Sequence, residues 1–204
     1  MEIKVEKGFG QLFGNFLRQC LLTRLEVWRP IAFSIGNNSN IVSAGDNILE
    51  DAEEICCNLS KYCYEINADS NFYKQTLDTK ELCINDLDNE KVTVVDADGA
   101  SIFHALNQQA TINIYYRKSK GSCYQNDNRA FLNREGISAD NIIIMNTRHS
   151  YFDAISINVL PYTELEEIVK VEAKNHSSQS LEDLVSLCCH EIAKVYTGIA
   201  ENNS

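Results

Sequence analysis

The spacing of apolar and polar residues along the chain predicts most of its regular structure. Residues 2–6 alternate as a short strand, and Gly8-Phe9-Gly10 then makes a turn, where glycine tolerates positive φ. Phe13, Phe16, Leu17, Cys20, Leu21 and Arg24 follow at spacings of three and one, which marks one face of a helix. Gly14 sits inside that helix at a cost of up to ~1 kcal/mol relative to alanine, which suggests a close approach by another backbone. A locally tolerated glycine is the plainer alternative.

Residues 27–35 read as a strand, and a second helix is expected to begin near Asn47. There Asn47 can cap and Glu50 stands at capping-box distance. Ile48, Ala52, Ile55, Cys56, Leu59 and Cys63 would form the buried stripe of this helix. Glu50, Asp51, Glu53 and Glu54 fall in its first turns, where the helix dipole favours negative charge. They therefore read as a solvated helix start rather than a metal or catalytic site.

The middle of the chain is strand-rich, with candidates at 91–95, 111–116, 142–146, 154–159 and 165–173. A last helix starts at Ser180, a good N-cap with Asp183 three residues on. Its stripe of Leu181, Leu184, Val185, Cys188, Ile192, Val195 and Ile199 is long for a helix that ends a small domain. Such a stripe can be buried within its own subunit or against a partner, and the reading here favours a partner.

Composition narrows the function without naming it. The 204 residues carry 29 Asp plus Glu against 18 Lys plus Arg, a net charge of −11. Residues 45–100 hold −10 and residues 151–204 hold −6, whereas 1–44 and 101–150 are mildly basic. Phosphate binding needs clustered Lys and Arg, so direct sequence-specific DNA contact is not expected. No signal peptide is read at Met1, and no apolar run reaches the ~20 residues needed to span a bilayer, so no membrane role is expected. The eight cysteines lack paired CxxC spacing and read as small core residues in a reducing compartment.

Catalytic motifs are missing: there is no phosphate-binding glycine loop, dinucleotide fingerprint or nucleophile elbow. His104, His149, His176 and His190 are scattered and read as structural or exposed. No catalytic residue, metal site or cofactor is expected. A metal- or redox-binding enzyme, suggested by the cysteines and the acidic second helix, is the reading from a different class.

A resemblance enters at the first helix. The run Gly8-Phe9-Gly10-Gln11-Leu12-Phe13-Gly14-Asn15-Phe16-Leu17-Arg18-Gln19-Cys20-Leu21-Leu22 resembles the GxGxTLGNxLRRxLL signature of the alpha subunit of bacterial-type DNA-directed RNA polymerase. Residues 47–59, with Glu50, Asp51, Glu54, Ile55, Asn58 and Leu59, are similar to its GVxEDVxxILLNLK helix. Weaker matches follow in order at Gly121 to Tyr124, at 150–159 and at 163–175, so the resemblance covers essentially the whole chain.

It implies an α+β fold of two interleaved subdomains. Residues 1–25 and 155–204 would be a helix-and-sheet dimerisation subdomain, and 26–154 an inserted β-rich subdomain. Phe9, Phe13, Gly14, Phe16, Leu17, Leu184, Cys188, Ile192 and Val195 are the candidates for a self-complementary homodimer interface. Asn15, Arg18, Asp51, Glu54 and Asn58 would meet the beta subunit, and the strand region 155–175 would meet beta-prime.

The implied role is a non-catalytic scaffold for transcription, with nucleotidyl transfer carried out by the beta and beta-prime subunits. The implied location is a bacterial cytoplasm, or the matrix or stroma of an organelle with such a polymerase. The chain departs from the pattern at Gln19, where the family has a second arginine, and in a shorter loop around Leu160-Pro161-Tyr162. It also reads to Ser204 with no linker or carboxy-terminal domain, so the promoter and activator contacts of that domain are not expected. These departures keep an alternative open, an alpha-like paralogue acting as a regulator or heterodimer partner outside the core enzyme.

Overall fold

In chain order the fold runs β1 (Glu2–Glu6), α1 (Gly10–Thr23), β2 (Val27–Ile35), α2 (Ala52–Ser60), β3 (Cys63–Ile66), β4 (Phe72–Thr79) and β5 (Glu81–Cys83). A 3-10 turn at Ile84–Leu87 leads to β6 (Val92–Val95), β7 (Ser101–His104), β8 (Ala110–Ser119), β9 (Gly121–Cys123) and α3 (Gln125–Arg134). The chain closes with β10 (Ile143–Ile144), β11 (Thr147–His149), β12 (Phe152–Pro161), β13 (Glu166–Asn175) and α4 (Leu181–Glu201). This computed structural model describes residues 1–36, 48–106, 109–138, 140 and 142–201, apart from the side chains of 195, 196, 199 and 200. Four α-helices and antiparallel sheets among the described residues make it an α+β fold. The chain divides into two compact units, Met1–Leu25 with Ser150–Ser204, and Glu26–His149.

In the first unit β13 lies between β1 and β12, with Val169 opposite both Ile3 and Val159. Helix α1 rests on this sheet, and its glycines set how low it lies. A Cβ on Gly14 would stand 2.7 Å from Ile157 Cγ2, and one on Gly10 2.5 Å from Val159 Cγ1. The close neighbour expected at Gly14 is therefore a β12 side chain rather than another backbone. Leu17, Cys20 and Leu21 of α1 enter a core with Phe152, Ile155, Val169, Val171, Leu184, Val185 and Cys188. Fully burying one such aliphatic side chain contributes roughly 1.5–3 kcal/mol. Helix α4 begins as its sequence predicts, with Ser180 Oγ accepting the Asp183 N–H at 3.1 Å.

The second unit is built on a sheet in the order β4-β8-β2-β3-β6, with β10 also pairing β2. The β2–β8 register shifts between Pro30 and Ala32, as fits a proline that has no N–H for the ladder. Tyr64 and Tyr116 lie in its core with ring centroids 5.2 Å apart. Their hydroxyls donate to Leu59 O at 2.9 Å and Gln75 Oε1 at 3.1 Å, so neither buried phenol lacks a partner. Burial pushes both phenol pKa values up.

A buried polar chain ties α3 to β8, β11 and β2. Arg117 donates to Asn128 Oδ1 at 3.2 Å, and Asn128 Nδ2 donates to Met145 O at 2.9 Å and Thr147 Oγ1 at 3.2 Å. The Thr147 hydroxyl lies 3.2 Å from His149 Nε2, and His149 Nδ1 lies 2.8 Å from Val27 O. Because Val27 O can only accept, the network assigns the ring proton to Nδ1 and leaves Nε2 to accept from Thr147.

The second helix is shorter than its pattern predicts. It starts at Ala52, capped by Asp51, whose carboxylate accepts the Glu54 N–H at 2.8 Å. Ile48 instead bridges to Ala105 in extended conformation, and Cys63 belongs to β3, so neither joins the helical stripe. Asn47 lies outside the described residues. The cysteines divide by environment: Cys20, Cys63, Cys123 and Cys188 are buried as core residues, but Cys57 is exposed because it points away from the stripe of α2.

Candidate protein–protein interface

Helix α1 has an inner and an outer face, and they sort the candidate dimer residues. Phe9 offers no side-chain cap to the helix start. That start is held by Glu167, whose Oε2 accepts the Gly10 N–H at 3.0 Å and sets a carboxylate at the positive end of the helix dipole. With Gly10 and Gly14 turned to the sheet, Leu17 is fully buried and Phe13 half-buried against the same core. Phe9, Leu12 and Phe16 remain on the outside, 56, 64 and 38% exposed, at spacings of three and four that align them along the helix. Three large apolar side chains in two turns form a contiguous surface row of the kind that marks contact sites.

Helix α4 divides in the same way. Leu184 and Cys188 are buried in the unit's own core, and Ile192 is half-buried at its margin. The Cys20 thiol reaches Cys188 O at 3.8 Å, which places α1 directly against α4. Leu17, Gly14, Leu184 and Cys188, named above for a homodimer interface, are buried within their own unit. The Val195 side chain is outside the described residues. On the outer side of α4, Leu187 is exposed in a shallow groove with Gln179, Asp183, Ser186, His190 and Lys194.

A second exposed apolar group lies at the β12–β13 hairpin tip. Leu160, Tyr162 and Leu165 are all at least half exposed there. Lys4 Nζ stands 4.4 Å over the Tyr162 ring and donates to its hydroxyl at 3.3 Å, so the tip is anchored to β1. Leu12 and Leu187 are missing from the sequence reading, whereas Leu160, Tyr162 and Leu165 lie inside the 155–175 region expected to meet beta-prime. Leu12 was open to it, since it stands three residues after Phe9 and four before Phe16. The hairpin residues carry no periodic signal.

The candidate beta-facing residues lie in both units. Asn15 and Arg18 are exposed on α1, and no hydrogen bond or ion pair engages Arg18 among the described residues. Asp51 and Glu54 are exposed at the start of α2, where the Asp51 carboxylate is occupied as the N-cap. Asn58 is half-buried, donating to Ile102 O at 3.4 Å and accepting from Lys61 at 2.8 Å. Gln19, which replaces a family arginine, is exposed.

The four histidines have separate structural partners. His176 Nε2 is 3.0 Å from Asp153, and His190 Nδ1 is 2.9 Å from Ser186 O on its own helix. His149 is buried; burial, with a smaller push from Arg117 and Arg29, drives its pKa down to about 4. His104 lies between two carboxylates, 2.6 Å from Glu50 and 3.1 Å from Glu81. Among the described residues, no group of three or more His, Cys, Asp or Glu is placed to hold a metal ion. No helix among them is long and apolar enough to cross a membrane.

Fold and surface together describe a two-unit α+β protein with exposed apolar side chains along α1 and at the β12–β13 hairpin tip. No protein-family model matches the chain. It is similar to the DNA-directed RNA polymerase subunit alpha of Mycoplasmopsis pulmonis (strain UAB CTIP), 24% identical over 188 residues. Those residues are 88% of this chain and 55% of the relative, so the chain spans about half the length of the curated protein it matches. The similarity thus extends over nearly the whole sequence, as the ordered motifs led one to expect.

Proposed function

We propose that the chain is a non-catalytic alpha-type subunit of a DNA-directed RNA polymerase, which forms a homodimer and scaffolds assembly of the beta and beta-prime subunits. The supporting observation is the outward row Phe9, Leu12 and Phe16 on a helix seated on its own sheet by Gly10 and Gly14, within the very segment that carries the family signature. In this reading the unit of Met1–Leu25 with Ser150–Ser204 dimerises, and the β-rich unit Glu26–His149 is its insertion. Arg18 offers a guanidinium for bidentate pairing with a carboxylate on a large partner. Asp51, Glu54 and Asn58 supply the contact on the second unit, and the β12–β13 hairpin faces beta-prime. Nucleotidyl transfer belongs to the partners, in a bacterial cytoplasm or the matrix or stroma of an organelle.

Gentle affinity purification of the tagged chain from its native source tests this. Two copies with two very large polymerase subunits are expected. Recovery as a lone monomer would overturn the scaffold reading, and a dimer lacking both large subunits would replace it with the paralogue.

A further inference from the structure

Glu50 brackets His104 with both carboxylate oxygens. Its Oε2 accepts the His104 backbone N–H at 2.7 Å, and its Oε1 stands 2.6 Å from Nδ1. On the other side of the ring, Glu81 Oε1 is 3.1 Å from Nε2, and Glu81 is the register partner of His104 in the β5–β7 ladder. An ionised carboxylate only accepts, so both ring nitrogens must donate, and only the imidazolium can do that. The Glu50 side chain is just 10% exposed, and a carboxylate so placed needs a partner.

We propose that Glu50, His104 and Glu81 form a proton-operated clasp: with both ring protons in place, His104 ties the segment that leads into α2 to β5, and loss of one proton opens the β5 arm. The segment 48–50 runs directly into Asp51, the cap of α2, so the clasp fixes where that helix begins. The charged groups facing the ring are Glu50 from that segment and Glu81 from β5. Ser101 Oγ of β7 is 3.4 Å from each ring nitrogen, and the Cys83 thiol sits 3.9 Å behind Glu81. Helix α2, packed on β7, brings the neutral Asn58 amide to Ile102 O.

Neutral His104 keeps one N–H. The shorter and more buried Glu50 contact retains it, and the exposed Glu81 then faces a lone pair and separates. The Glu50 hydrogen bond raises the His104 pKa; burial opposes this, and the charges of Glu50 and Glu81 add to it. For Glu50, burial pushes the carboxyl up, but the hydrogen bonds from His104 outweigh it and hold the group below its ordinary value. The histidine contribution is therefore complete below the ordinary imidazole value of about 6.5 and lost as pH rises through the raised one. The Glu50 contribution is lost as pH falls through its lowered value. The clasp is closed between these limits.

The test is nitrogen-15 NMR of the histidine rings in the full chain, with amide exchange corrected for its intrinsic pH dependence. His104 should titrate above 6.5 with both nitrogens protonated on the acid side. Glu81→Gln should lower that midpoint, and Glu50→Gln should lower it further. Protection of the Ala105 amide, bonded to Lys80 O at 2.6 Å, should step down at the His104 midpoint and show no step in Glu81→Gln. Glu81 is exposed, so its variant keeps the fold even if Glu50→Gln does not. A His104 midpoint at or below the ordinary value, or a protection step that persists in Glu81→Gln, would overturn the proposal.

Discussion

The amide of Gly10 donates to Glu167 Oε2 at 3.0 Å across 157 positions of sequence. It joins the first helix of the chain to a strand near its end, and it supplies the cap that Phe9 cannot. Glu167→Ala is expected to destabilise the unit of Met1–Leu25 with Ser150–Ser204 by about 1 kcal/mol, and Glu167→Gln by less because its amide oxygen still accepts. Urea unfolding followed by far-UV circular dichroism measures this. The single tryptophan, Trp28, reports the other unit and should keep its midpoint. A Glu167→Ala midpoint equal to the parent's would show that the contact does not stabilise the helix start.

Gly14 should tolerate a methyl group poorly, although alanine is the better helix former by about 1 kcal/mol. The new Cβ would meet Ile157 Cγ2 at 2.7 Å, and a β-branched side chain on a strand has little freedom to retreat. Overpacking of this kind costs roughly 1–3 kcal/mol, so Gly14→Ala should be net destabilising by up to about 2. Ile157→Ala removes the obstructing methyl. In a double-mutant cycle the pair should therefore couple favourably by about 1 kcal/mol or more, and additive losses would exclude the clash.

What the sequence revealed, and what it hid, follows from where each signal is written. Helices α1 and α4 and strand β2 were legible because their apolar spacing reports a buried face. Helix α3 was not, since one of its two buried residues is Asn128, whose polarity erases the stripe. Helix α2 is shorter than its spacing predicts because Ile48 is apolar at helical spacing, yet its backbone pairs with Ala105, a contact with no local trace. The two faces of α1 were only partly legible. Spacing placed Phe16 and Leu17 in one stripe, but only the seating of Gly10 and Gly14 on β12 decides that Leu17 faces in and Phe16 faces out. His149 and Val27 lie 122 residues apart, and no pattern within either segment announces their bond.

Acid should unfold the β-rich unit earlier than its carboxylates alone would require. His149 is buried with its pKa lowered to about 4, whereas the unfolded chain binds a proton near 6.5. The unfolded state therefore takes up the proton first, and stability falls as pH drops from about 6.5 towards 4, by up to about 3 kcal/mol. Trp28 fluorescence during urea unfolding at stepped pH reads this directly. His149→Gln should be less stable at neutral pH, because the bonds to Val27 and Thr147 are disturbed, but its stability should change much less across that interval. A wild-type slope that survives in the variant would assign the acid sensitivity to other groups.

Association should be broken from the outer face of α1 and not from its stripe as a whole. A charge at Leu184 or Leu17 would enter the unit's own core without a partner, so Leu184→Glu would unfold the unit and say nothing of dimerisation. Leu12 and Leu187 are 64 and 49% exposed, and glutamate there should change monomer stability by no more than about 0.5 kcal/mol. In a two-fold interface each substitution is present twice, so like charges meet or are buried in pairs. Leu12→Glu is therefore expected to convert a sedimenting dimer to monomer with an unchanged circular dichroism spectrum, and Leu187→Glu does the same if α4 shares the contact. If Leu12→Glu and Phe16→Glu both sediment as the parent does, the outer row of α1 is not the surface through which two copies meet.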